Sequence, residues 1–205
     1  YAEDISIEDA LKNIEALALK YNPDSDLVSE LDEPGNWHDW KGLKYLLYEY
    51  EEHLAGTRTV RIPWEKLEDK KAKQNSIEHI LPQTPKKGYW TTNFTKEQRN
   101  DCTHDIGNLT LTFDNSSYGR KDFADKKGSP GQANPCYANS PIFMERELAA
   151  LKDWNYINLE KRRKKIIEWV IQRWKIELEQ EESQILNVSD DDLEDIEDDI
   201  FHDEN

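Results

Sequence analysis

Two short apolar blocks, each cut off soon after it begins, set the limits on this fold. Ser76-Ile77-Glu78-His79-Ile80-Leu81 is stopped by Pro82, and Ile106-Gly107-Asn108-Leu109-Thr110-Leu111 follows downstream. Proline has no N–H for a sheet ladder, so the first block reads as a strand that ends at residue 81. The second reads as a strand from Asn108 to Phe113. Residues 84–103 between them are polar and aromatic, which predicts loop with a short helix over 95–101. Strands this short carry little core, so the expected class is α+β, a small ββα core within a mostly helical domain.

Helical spacing supplies the rest. Ser6 followed by Glu8 and Asp9 is a helix start, and Ile7, Leu11, Ile14 and Leu17 recur one turn apart. A second amphipathic helix is predicted from Trp37 to Leu54, with Trp40, Leu43, Leu47, Tyr50 and Leu54 on one side. Its acids Glu49, Glu51 and Glu52 sit in the last turns, where the helix dipole disfavours them, so packing must compensate. Thr59 to Ile62 reads as a strand closed by Pro63. Asn115 to about Lys126 starts as loop and becomes helix with Phe123 inward; residues 128–141 are loop; a helix runs from Ile142 to about Lys152. Asn158 is the expected cap of a long helix reaching about Glu182, with Ile166, Ile167, Val170, Ile171, Trp174 and Leu178 on its apolar face. The run Lys161 to Lys165 reads as its solvated face. Residues 183–205 form an acidic tail with the composition of disorder. The resulting division is a helical segment at 1–55 packed on a domain at 56–182, then the tail at 183–205.

The net charge of −16 over 205 residues is unevenly spread. Residues 177–205 hold 14 acids and no Lys or Arg, and residues 1–55 hold 14 acids and 4 bases. The middle, 56–176, keeps 15 acids and 23 bases. A basic centre between acidic flanks is a hint of a nucleic-acid surface with charged appendages. No apolar run approaches the ~20 residues of a membrane span, so no membrane partner is expected. Two cysteines, Cys102 and Cys136, make neither a disulfide framework nor a C-x-x-C zinc site, and a reducing cytoplasm is the simple reading. The chain begins with Tyr rather than Met and reads as a piece of something longer.

The basic centre also contains the chemistry. A carboxylate beside an imidazole (Glu78, His79) at a strand end, with an Asn (Asn108) at a second strand, supplies a metal ligand, a base for water and an orienting amide. These are the parts of a one-metal nuclease. Adjacent strand residues point to opposite faces, so Glu78 and His79 share one site only where the strand ends and bends. Trp90, in the polar stretch, is the best candidate for stacking on a base.

Ile77-Glu78-His79-Ile80-Leu81-Pro82-Gln83, His104-Asp105-Ile106-Gly107-Asn108-Leu109-Thr110-Leu111 and Asn115-Ser116-Ser117-Tyr118, with Lys121-Asp122-Phe123 and Lys126-Lys127, follow one another in order. This pattern resembles the HNH-like nuclease domain of GmrSD-type, modification-dependent restriction endonucleases, and the likeness runs from about Trp37 to Trp174. The resemblance implies a ββα-metal (HNH, His-Me finger-like) core and a metal-dependent DNA endonuclease acting in defence against foreign or modified DNA. It implies a divalent ion, Mg2+ or Mn2+, and an N-terminal NTPase or recognition domain on the same or a partner chain. Carried over, His79 is the general base, Asn108 orients its loop, and Glu78 and Asn115 are the metal ligands. Three roles stay open for His104: second ligand, phosphate contact or loop brace. Relatives often carry Asn where this chain has Arg120, which cannot ligate a cation but clamps phosphate. Arg120, Lys121, Lys126, Lys127, Lys86 and Lys87 are the expected nucleic-acid contacts. The alternative function is a catalytically decayed nuclease fold that binds DNA or protein.

Overall fold

The computed structural model describes residues 6–21, 35, 37–58, 62–68 and 76–174. The expected strand at 59–62 and the acidic tail fall almost wholly outside them. The chain divides into two compact units, one of residues 28–172 and one of residues 1–27 with 173–205. In the second unit, α1 (Ile7–Tyr21) starts as the sequence predicts: Ser6 Oγ accepts from the Asp9 N–H at 3.0 Å. Its stripe of Ile7, Leu11 and Ile14 is exposed.

The 28–172 unit is α+β. Its first described element is a 3-10 turn, Trp37–Asp39, and α2 (Leu43–Ala55) follows. The predicted helix was thus too long at its start; Trp40 stays half exposed, while Leu43, Leu46, Leu47 and Tyr50 are buried. Next come α3 (Trp64–Glu68), β1 (Ser76–His79), α4 (Tyr89–Asn93) and α5 (Lys96–Cys102). A 3-10 turn, Ile106–Asn108, leads into β2 (Leu109–Thr112), then α6 (Asn115–Tyr118), α7 (Phe123–Lys127), α8 (Phe143–Ala149) and α9 (Tyr156–Trp174). The strands pair antiparallel, with Glu78 opposite Thr110 and His79 opposite Leu109. No helix among the described residues is long and apolar enough to cross a membrane.

Aromatic burial carries the core, as a chain with few aliphatics requires. Trp90, Phe94, Tyr118, Phe123, Tyr137 and Trp154 cluster with Ile80, Leu81, Leu148 and Leu159. Trp90 is therefore no stacking platform. It lies on α4, fully buried, and its indole N–H donates to Lys121 O at 3.2 Å. Within 84–103 the short helix expected at 95–101 is α5, set by a capping box of Thr95 and Gln98, and α4 is a further helix where loop was expected.

Three charges of the helices point inward: Glu51, Arg162 and Arg163. Glu51 is buried in the last turns of α2, and its two oxygens accept from the Phe143 and Met144 N–H groups at 2.7 and 2.9 Å. The start of α8 thus offsets the unfavourable end of α2. On α9, Asn155 rather than Asn158 is the cap, accepting from the Asn158 N–H at 3.0 Å. The basic run of α9 is only partly solvated. Arg162 and Arg163 are buried, and Arg162 Nη1 donates to Gly107 O and Leu109 O at 2.7 and 2.8 Å. Arg163 pairs with Asp105 at 2.9 Å, while Asp105 Oδ1 accepts from the Gly107 N–H at 2.7 Å. A Cβ on Gly107 would lie 2.6 Å from Leu159 O, so the turn and α9 touch only because that residue is glycine.

Candidate functional site

The 3-10 turn that α9 grips delivers Asn108. Its side chain is fully buried and reaches across to the segment after β1. Oδ1 accepts from the Leu81 N–H at 2.7 Å, and Nδ2 donates to Leu81 O and Thr103 O at 2.9 and 2.8 Å. The backbone adds Ile80 N–H to Asn108 O at 3.0 Å. One amide therefore fixes the bend after His79 that precedes Pro82. Asn108 does not line a cavity with the other predicted residues.

A cleft of about 230 Å³ opens beside that bend, lined by Glu78, His79, Pro82, Gln83, Thr84, Asn115, Gly119 and Arg120. The structure brings Glu78, His79 and Asn115 together there with Arg120. The Asn115 amide nitrogen donates to Ile77 O at 3.2 Å, which leaves its oxygen as the acceptor offered to a ligand.

Glu78 is almost wholly buried, and its neighbour is Lys126. The Lys126 ammonium donates to Glu78 Oε1 at 2.6 Å and to the carbonyls of His79 and Ile80 at 2.9 and 3.0 Å. Three N–H groups meet three oxygens, so the pair is assigned as ionised. Burial pushes the Glu78 carboxyl up, to about 7, and the Lys126 ammonium and Tyr137 hydroxyl pull against it. Burial likewise lowers Lys126, against the pull of Glu78. The His79 backbone N–H also favours the charged carboxylate, and both side-chain partners, Lys126 and Tyr137 OH at 3.3 Å, fall on Oε1. That leaves Oε2 to serve a cation.

The expected basic contacts separate into two groups. Lys86, Lys87, Arg120 and Lys121 are exposed. Lys126 is fully buried, which removes it from any nucleic-acid surface, because its ammonium neutralises Glu78. Lys127 is half-buried and bonds Leu151 O at 2.6 Å, so its charge is also turned inward.

The ring of His79 meets other imidazoles. Its Nε2 is 3.1 Å from His104 Nδ1, and its ring centroid is 4.7 Å from that of His38. Gln83 Nε2 lies 3.3 Å from the same His79 nitrogen. Burial pushes His79 down to about 3, with His38, His104 and Lys126 adding to the effect. The ring is neutral at any working pH. Sequence reasoning missed His38. Its one visible signal is the Trp37-His38-Asp39-Trp40 cluster beside a Pro-Gly turn, which says nothing of a partner far along the chain. The backbone link is Trp37 N–H to His104 O at 3.0 Å.

Carboxylate, neutral imidazole, amide oxygen and guanidinium thus meet at one cleft beside a short antiparallel strand pair. A model of the family described as GmrSD restriction endonucleases, C-terminal domain, matches residues 21–169. That is well over half the chain, and the chain belongs to this family. No curated protein and no solved structure matches it.

Proposed function

We propose that this chain is a metal-dependent DNA endonuclease domain built on an HNH-like ββα core of β1, β2 and α6. The observation that carries the reading is the cleft shared by Glu78, His79, Asn115 and Arg120. Its oxygen donors, Glu78 Oε2 and Asn115 Oδ1, suit a hard cation such as Mg2+ or Mn2+ that keeps several waters. When bound, such an ion neutralises charge on the scissile phosphate and the leaving oxygen. His79, neutral, takes the proton of the attacking water. An anionic phosphate beside the ring opposes the lowering of its pKa and strengthens it as a base. Arg120, exposed at the rim, holds a non-bridging phosphate oxygen. Asn108 keeps the His79 bend in register. His104 sits where it braces the His79 ring.

Lys86, Lys87 and Lys121 track the backbone of the duplex by charge. Recognition of a modified base, and NTPase activity, belong to a further domain on the same or a partner chain, and the biological setting is defence against foreign DNA. The test is cleavage of plasmid DNA by the purified protein with Mg2+ or Mn2+, against His79→Ala and against excess chelator. Cleavage lost in both supports the mechanism; equal cleavage by His79→Ala removes it. The second reading, a decayed site that only binds, is favoured by one observation, the Lys126 ammonium already seated on Glu78. It predicts DNA retention without product under every metal.

A further inference from the structure

The hydrogen-bonded imidazoles of His79 and His104 have a third neighbour that the nuclease reading does not use. His38, His79 and His104 each offer a ring nitrogen, and these atoms all lie within 4.8 Å of one another. They come from three separate places: the 3-10 turn Trp37–Asp39, the end of β1, and the loop before the Ile106–Asn108 turn. We propose that these three histidines form a binding site for a borderline transition-metal ion, Zn2+ foremost, with donors distinct from the oxygen set offered to Mg2+.

Donor chemistry separates the two sites. Neutral imidazole suits Zn2+, Cu2+ or Ni2+, while carboxylate and amide oxygens suit Mg2+ and Mn2+. Geometry supports a tetrahedral ion. Zn–N bonds of ~2.0–2.1 Å place two ligand nitrogens roughly 3.3–3.4 Å apart. His79 Nε2 and His104 Nδ1 are already 3.1 Å apart. The third nitrogen closes by rotation of the His38 ring, which is about one-third exposed. Two of the ligand segments are fastened to each other by Trp37 N–H to His104 O, so the approach of His38 to His104 is built into the backbone.

An outer partner is in place as well. Asp39 Oδ1 lies 3.4 Å from His38 Nδ1. A carboxylate there fixes the tautomer and raises the basicity of the ligating nitrogen, the usual second layer of a histidine–zinc site. Three histidines leave a fourth position for water, and the exposure of His38 lets solvent reach it.

One consequence rests on the nuclease reading. An ion held by His79 occupies the lone pair that would take the proton from water, so Zn2+ is an inhibitor of Mg2+-supported cleavage. His79 is then the point where a regulatory ion and the reaction compete.

The test uses the full chain with Co2+ as the probe. A wild-type site gives an intense visible spectrum of four- or five-coordinate Co2+ that saturates at one equivalent and is bleached by Zn2+. His38→Ala, shown folded by its thermal unfolding curve, binds at least about ten-fold more weakly, the scale of loss seen even for outer-layer partners. His38→Gln repeats the comparison at closer volume. A wild-type spectrum of weak octahedral bands only, as the acidic ends would give, overturns the proposal. So does equal affinity in wild type and both variants. In the cleavage assay, Zn2+ at one equivalent stops the wild type, and His38→Ala needs at least ten-fold more Zn2+ relative to its own Zn2+-free rate. If no protein cleaves DNA, the nuclease reading fails and the Co2+ spectrum still decides the site.

Discussion

Lys126 is the residue on which the site's electrostatics turn. A fully buried ammonium is tolerated because it meets one carboxylate and two carbonyls. Removing one partner strands the other charge, which costs about 3–5 kcal/mol. Lys126→Met is expected to lose that much stability in urea unfolding, and a loss under about 1 kcal/mol would show the pair is not ionised. Glu145 makes the opposite case. Burial pushes its carboxyl from 4.5 up to about 8, against the Ser140, Thr112 and Tyr118 hydroxyls. A raised carboxyl contributes stability below its unfolded value and loses it as pH rises through the folded one. Stability should therefore fall by a few kcal/mol between pH 4.5 and about 8, and Glu145→Gln should flatten that slope. Glu78 and His79 stood out in the sequence because they are adjacent at a strand end, and Asn115, which lines the same cleft, through the order of the motif blocks. Lys126 did not: within Asp125-Lys126-Lys127 nothing separates the buried lysine from a surface one, since its acceptors lie about 47 residues away. His38 escaped for the same reason.

At the level of elements, the grip of α9 on the Ile106–Asn108 turn carries the site. Arg162 holds Ile106 and Gly107 of that turn, Arg163 holds Asp105 just before it, and Gly107 lets the backbones meet. Gly107→Ala puts a Cβ 2.6 Å from Leu159 O. Overpacking of this kind costs about 1–3 kcal/mol. Because the displaced turn carries Asn108, DNA cleavage should fall by more than stability alone explains, measured at a temperature where the variant is folded. Unchanged stability would mean that α9 yields. Apolar spacing located α1, most of α2 and most of α9. It did not reveal α3 or α4, which are single turns. Nor did it show that two arginines of α9 face inward, because a basic run looks solvated unless the carbonyls it serves are known.

For the whole molecule, the useful quantity is where the charge sits. The chain is strongly acidic, yet Arg120 at the cleft and the exposed bases Lys86, Lys87 and Lys121 all lie in the basic middle segment. Each phosphate contact contributes about −0.9 to the slope of log affinity against log salt. Arg120→Ala with Lys121→Ala should therefore flatten that slope by roughly 2 for duplex DNA, without regard to sequence. An unchanged slope would move the DNA path elsewhere. The central claim is that one hard cation sits between Glu78 and Asn115, and Mn2+ titration followed by nuclear magnetic resonance tests it most directly. Paramagnetic broadening should appear first, below one equivalent, at the Asn115 side-chain amide and at the backbone amides of His79 and Arg120. Broadening that begins in the acid-rich ends and never reaches Asn115 would contradict it.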